Sequence, residues 1–171
     1  AIVQRRELSR TGVIRIGLPS GKGMPPMIDW PLDMVDAINA RVHMIHGGYL
    51  YDGFPIAELR EDEIDAVIAE LIEQDIENVA IASAFSPMND APERLMAEKI
   101  RGAIPNAKIT RSSQFGRLGL MERENAAIMN TALLPFAGKV VSAFTGALEN
   151  RNLNCPAYIS QNDGTLMSTD F

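Results

Sequence analysis

The chain has 171 residues, 46% hydrophobic and 22% charged, with a formal net charge of −6. That is the size of one domain with room for a real core, and the acidic balance disfavours generic binding to nucleic acid or to an anionic membrane. A single cysteine, Cys155, excludes an internal disulfide and fits a reducing compartment such as the cytoplasm. Its apolar neighbours predict a packed thiol, not a nucleophile. No run approaches the roughly 18 apolar residues of a membrane span. No secretory signal precedes the first strand, and the chain opens on Ala1, not Met, which reads as a processed or excised segment.

In chain order, VIRIG (residues 13 to 17) predicts a strand, followed by a loop rich in proline and glycine, LPSGKGMPPMIDWP. Pro31 suits the first turn of a short helix with Leu32, Val35 and Ile38 on one face. RVHMIH (41 to 46) reads as a strand, and YLYDGFPIAEL as a hairpin over Asp52-Gly53. REDEIDAVIAELIEQD predicts a helix with an acidic first turn and an apolar face of Ile64, Val67, Ile68, Leu71 and Ile72. VAIASAF (79 to 85) is an unbroken apolar run, the mark of a strand covered on both faces. Asp90 and Glu93 read as a capping box around Pro92, opening a helix that Pro105 ends. AKITRSS (107 to 113) is the next strand, and residues 118 to 149 are helical with a kink or break expected at Pro135. AYISQ reads as the last strand. The expected fold is α/β: a mostly parallel sheet from βαβ units in residues 61–161, after a strand and hairpin region in residues 1–60, all in one domain.

Several motifs fail as known sites. PSGKG lacks the spacing of a phosphate loop, since only three residues separate Gly17 from Gly21 and Gly23 follows Lys22. His43 and His46, three apart on a strand, fall on opposite faces, and no metal site is expected. Two stretches are denser. GLMERENAAIMN opens a helix with Glu122, Arg123, Glu124 and Asn125, and aligns Glu122, Ala126 and Asn130 on one face. The residues alone favour a capped, solvated helix start with local ion pairs. SQNDGTLMS, after the last strand, is either a tight turn or a ligand loop at the carboxyl end of a sheet.

Together these pieces resemble the hydantoinase A/oxoprolinase family. The resemblance runs in order through RTGVIRIGLP, PPMIDWP, GGYLYDG, VAIASAFSPMNDAPE, LGLMEREN and QNDGTLMS. It implies an actin-like, ATP-using fold and an enzyme that opens cyclic amides such as hydantoins or 5-oxoproline. There ATP phosphorylates the amide oxygen and water attacks the activated imidate. The family's two glycine-rich phosphate loops do not occur between Ala1 and Phe171. The chain therefore reads as an internal fragment of the N-terminal half of a larger enzyme. ATP and Mg²⁺ are expected in the whole protein and no cofactor in this fragment, which is expected to be inactive alone.

The resemblance also implies the site residues. Asp163 and Glu122 are the catalytic candidates, with Asp163 placed to orient water. Arg123, Asn130, Gln161, Asn162 and Gly164 are the substrate-binding candidates, and no metal ligand is assigned. Asn130 and the loop at 161 to 164 are expected to lie close together. Expected partners are the rest of the same polypeptide, a hydantoinase B-type subunit and a small cyclic amide, with neither nucleic acid nor membrane. A ketone carboxylase-type fragment and a non-catalytic binding or regulatory module are the alternatives.

Overall fold

Val13, Ile14, Arg15 and Ile16 alternate across the first strand, so successive side chains enter two different cores. The computed structural model describes residues 1–115, 118–153, 155–160 and 164–169. In it β1 (Gly12–Leu18), α1 (Leu32–Ile38), β2 (Arg41–His46), α2 (Glu61–Glu73), β3 (Asn78–Ser83), α3 (Ala91–Ala103) and β4 (Lys108–Arg111) form one α/β layer structure. The strands pair in parallel in the order β2-β1-β3-β4. The sheet thus extends N-terminally beyond the 61–161 series to take in β1 and β2. Residues Ser112–Phe115 make a 3₁₀ turn, and α4 (Leu120–Asn150) follows. The chain divides into two compact units, Ala1–Leu134 and Pro135–Phe171.

The order of strands decides where the helices go. A right-handed crossover from β1 to β2 runs one way along the sheet, while those from β2 to β3 and β3 to β4 run the other way. Accordingly α2 and α3 share one core with Ile14, Ile16, Val79 and Ile81, through Ile64, Val67, Leu71, Met96 and Ile100. On the other side α1 and the first part of α4 pack with Val13 and Ala80, through Met34, Ile38, Ala127, Ile128 and Ala132.

Several local expectations change. In α1 the buried residues are Met34 and Ile38, and Leu32 is exposed, because the first turn points away from the sheet. The 49–55 segment is a turn closed by a single antiparallel bridge, Tyr49 to Pro55, rather than a laddered hairpin. In α2, Ile72 at the edge of the predicted apolar face is exposed. The capping box at α3 does not form: Asn89 Oδ1 caps Ala91 N–H at 3.1 Å, Asp90 pairs with Arg94 and Arg111, and Glu93 turns into the interior. The helix α4 carries Pro135 without a break, since a 31-residue helix tolerates one missing hydrogen bond. By length and composition α4 could also cross a membrane, a feature hidden from a search for uninterrupted apolar runs by its scattered Gly, Ser, Thr and Lys.

The second unit holds the remainder of α4 and an antiparallel pair, β5 (Tyr158–Ser160) with β6 (Leu166–Ser168). AYISQ therefore does not extend the parallel sheet. β5 pairs instead with the segment that follows it, and Gly164, between the two strands, sits at φ +85°, which glycine adopts freely. Cys155 is exposed, not packed.

Candidate functional site

Strand order 2-1-3-4 creates a switch point: the connections leaving β1 and β3 depart to opposite sides, opening a crevice at their carboxyl ends. A cleft of about 530 Å³ lies there, bounded by Gly17, Ala84 and Phe85 at the strand ends and by Met24 in the loop after β1. Leu50 and Ile56 from the 47–56 turn and Leu120, Met121 and Glu122 from the start of α4 complete it. Its size falls within the roughly 300–1,000 Å³ of small-molecule sites.

Beneath it, two charged networks hold the strand ends. Arg15, on the α4 side of β1, makes a bidentate ion pair with Glu124: Nε donates to Oε1 at 2.7 Å and Nη2 donates to Oε2. Both side chains are 2% exposed. The remaining Arg15 nitrogen, Nη1, donates to the Met24 carbonyl and so ties down the cleft's outer loop. At the end of β3, the Ser83 N–H donates to Glu93 Oε1 at 2.9 Å, and the Ser83 carbonyl accepts from Arg123 Nη2 at 3.0 Å. The Glu93 carboxylate also accepts from the Ser112 hydroxyl at 2.6 Å and the Ser113 N–H at 3.0 Å. Charged side chains from two helices thus take the backbone groups at this strand end, where a continued ladder would otherwise have to. Burial pulls the Arg123 guanidinium below its usual range, opposed by the carboxylates of Glu93, Glu122 and Glu124.

Two backbone features bring the walls together. Gly47 and Gly48 sit at φ +130° and +84°, and a Cβ on Gly48 would lie 3.1 Å from the Ile16 carbonyl oxygen. Only glycine lets the 47–56 turn cross so closely over the sheet end, and that crossing delivers Leu50 and Ile56 to the cleft. Phe85 is the second: it holds φ +51°, a left-handed conformation that costs a side-chain-bearing residue on the order of 1 kcal/mol. Its ring meets Tyr51 edge-on, centroids 6.5 Å apart.

The predicted site residues separate. Glu122 is exposed on the cleft rim. Its carboxylate folds back over Gly119, where a Cβ would stand 2.0 Å from Oε2. Arg123 is buried directly beneath, so the solvated helix start favoured by the residues alone does not hold for Arg123 and Glu124. Asn125 Oδ1 accepts from Trp30 Nε1 at 3.0 Å, linking α4 to the PPMIDW loop. Asn130 lies two turns further on and donates to Thr110 Oγ1 of β4 at 3.1 Å, away from the cleft. Gly164 is in the bend between β5 and β6. Gln161, Asn162 and Asp163 lie outside the described residues, and with them the expected meeting of that loop with Asn130.

Sequence reasoning missed Arg15, Glu124, Glu93 and Phe85. Arg15 left a signal, a lone cation inside an apolar strand, which demands a buried partner. The histidines behave as structural groups. His46 Nδ1 lies 2.6 Å from Glu63 and His43 Nδ1 3.8 Å from Glu70, both carboxylates on α2. His46 reaches the α2 side because the β1–β2 register shifts at the strand end. Among the described residues no group of three or more His, Cys, Asp or Glu could hold a metal ion. Nor does the PSGKG loop form a phosphate cradle: Gly21 N–H turns back to the Gly17 carbonyl at 2.9 Å and Lys22 N–H to Pro19 at 3.3 Å.

Comparison with known proteins agrees with this architecture. The family model for the hydantoinase/oxoprolinase N-terminal region matches residues 1–104. The caprolactamase alpha subunit of Pseudomonas jessenii is 25% identical over 123 residues, which is 71% of this chain and 18% of that protein. The crystal structure of the ATP-dependent caprolactamase from Pseudomonas jessenii has a TM-score of 0.79 at 19% identity, over 97% of this chain and 26% of that one. A nucleotide-free acetone carboxylase structure has a TM-score of 0.72 at 16% identity, over 99% of this chain and 27% of that one. The chain thus spans about a fifth to a quarter of the length of these relatives. It belongs to the hydantoinase/oxoprolinase family and carries that family's N-terminal region.

Proposed function

We propose that this chain is the substrate-holding domain of an ATP-dependent enzyme that opens a small cyclic amide, of the hydantoinase or 5-oxoprolinase type. The observation that carries the reading is the family match over residues 1–104. The switch-point cleft supports it by offering a concave, mostly apolar site with one exposed carboxylate, Glu122. A lactam or hydantoin has an N–H that donates to such a carboxylate and a hydrocarbon edge that suits apolar walls. Glu122 therefore orients the ring, Arg15 lines the cleft with its guanidinium already held by Glu124 and the Met24 carbonyl, and Glu124 and Arg123 keep the walls in place. Water orientation by Asp163 and substrate contacts by Gln161, Asn162 and Gly164 are proposed from the family resemblance alone, with no position assigned to them relative to this cleft.

We assign no nucleotide to this chain, a reading supported by its PSGKG loop, whose Gly21 and Lys22 amides turn back to Gly17 and Pro19. ATP and Mg²⁺ are assigned to other parts of the longer polypeptide, where ATP would activate the amide oxygen. The isolated chain should not hydrolyse ATP. The partners are then the rest of that polypeptide and a hydantoinase B-type subunit, in the cytoplasm where ATP is available; we assign α4 to the fold and not to a membrane because its first part packs in the core through Ala127, Ile128 and Ala132.

The test is phosphate release by the intact protein with its co-purifying subunit, given ATP and either cyclic amides or acetone with bicarbonate. Release that depends on a cyclic amide is expected. The likeness to acetone carboxylase gives a second reading, and release only with ketone and bicarbonate would establish it instead. ATP consumption with neither would leave the domain as a binding or regulatory module.

A further inference from the structure

We infer that Phe85, seconded by Ile56, determines which cyclic amides this cleft accepts, by forming an apolar wall for the hydrocarbon edge of the ring. The inference rests on the cyclic-amide reading and adds the ligand's shape: a ring whose polar edge faces Glu122 and whose opposite edge carries hydrocarbon. Phe85 lies two residues after the end of β3, at the switch point, and lines the cleft. It is held there against its conformational preference, at φ +51°, where glycine or asparagine would rest without strain. Strain maintained in a bulky side chain at a cleft points to a use for that side chain.

The surrounding structure fixes the backbone that carries the ring. Ala84 N–H donates to the Ile16 carbonyl at 3.1 Å, and the Phe85 carbonyl accepts from Met88 N–H at 2.9 Å and Asn89 N–H at 3.3 Å. Tyr51 braces the ring from the 47–56 turn, and the same turn brings Ile56 to the cleft. The wall is therefore built from two segments that only the paired glycines, Gly47 and Gly48, allow to approach.

The experiment uses the intact enzyme and compares kcat/KM for hydantoin with that for hydantoins bearing isopropyl or isobutyl at C5. The preference for the alkylated ring is expected to fall about tenfold in Phe85→Ala, the scale of a lost hydrocarbon contact in a pocket. It should fall less in Ile56→Ala, with the change mainly in KM. Phe85→Asn keeps the left-handed backbone without strain and is expected to fold as well as the natural chain while losing the same preference. An unchanged preference in Phe85→Asn and Ile56→Ala overturns the inference while cyclic-amide turnover itself stands. Absence of any turnover of cyclic amides by the natural enzyme overturns the underlying reading, and the inference with it.

Discussion

The two faces of the four-stranded sheet are built differently. Toward α2 and α3 the larger apolar cluster, in which Ile14, Ile16, Val79 and Ile81 meet Ile64, Leu71, Met96 and Ile100, carries a buried carboxylate, Glu93, only at the β3 end, where it is bonded to Ser83, Ser112 and Ser113. Toward α1 and α4 the apolar cluster is smaller, and beside it the Arg15–Glu124 pair is buried with both charges inside. The first face is held mainly by hydrophobic burial. The second includes a pair whose desolvation cost offsets most of its attraction, so it adds little net stability while it controls geometry strongly. It joins β1, the loop at Met24 and the start of α4, three of the segments that enclose the cleft.

The largest effect should come from splitting that pair. Glu124→Ala leaves Arg15 buried without its partner and is expected to cost about 3–5 kcal/mol by denaturant unfolding. Replacing both members by apolar residues of similar volume should recover most of that stability and still abolish ligand binding, because Met24 loses its anchor. If the double replacement binds normally, the pair is not what shapes the cleft. On the other face, Leu71→Ala removes a fully buried side chain and should cost about 2–5 kcal/mol, with ligand affinity per folded molecule unchanged. Gly48→Ala comes next, at about 1–3 kcal/mol, since a side chain there is strained in φ and presses on the Ile16 carbonyl.

Two smaller effects sharpen the contrast. His43 is pushed below its ordinary pKa by burial, partly opposed by Glu70 and reinforced by Arg41. The unfolded chain therefore takes up the proton first as pH falls. The stability that His43 contributes is complete above about pH 6.5 and is lost as pH drops through its folded value. His43→Gln should flatten the melting temperature between pH 7 and 5, and an unaltered slope would assign that dependence to other groups. Gly119→Ala should change stability least. The added methyl displaces the flexible end of Glu122, so turnover should fall with the melting temperature nearly constant. A normal rate in that variant would remove Glu122 from the ring-orienting role.

Much of the fold was legible because period and punctuation agreed. Ile64, Val67 and Leu71 announced α2, the run VAIAS announced a strand covered on both faces, and Pro105 ended α3. The failures share a cause. Glu93 and Glu124 sit in local patterns that a capping box or a solvated helix start explains, and only tertiary contacts 10 to 109 residues away draw them inward. AYIS has strand propensity, but propensity does not say which partner a strand takes, and here it pairs with the segment just after it. The family pattern pointed to the cleft's surroundings more than physics did. LGLMEREN marked the right helix start, but Phe85 carried no sequence signal, because its left-handed backbone follows from the chain's path past β3.

The central claim is that a cyclic amide sits in the switch-point cleft with its N–H edge at Glu122. The most direct measurement is a crystal structure of the intact enzyme with a hydantoin bound in the absence of ATP. The ring should lie between Glu122 and Phe85, with an N–H within hydrogen-bonding distance of the carboxylate. A ring bound elsewhere, with this cleft holding only solvent, would contradict the account.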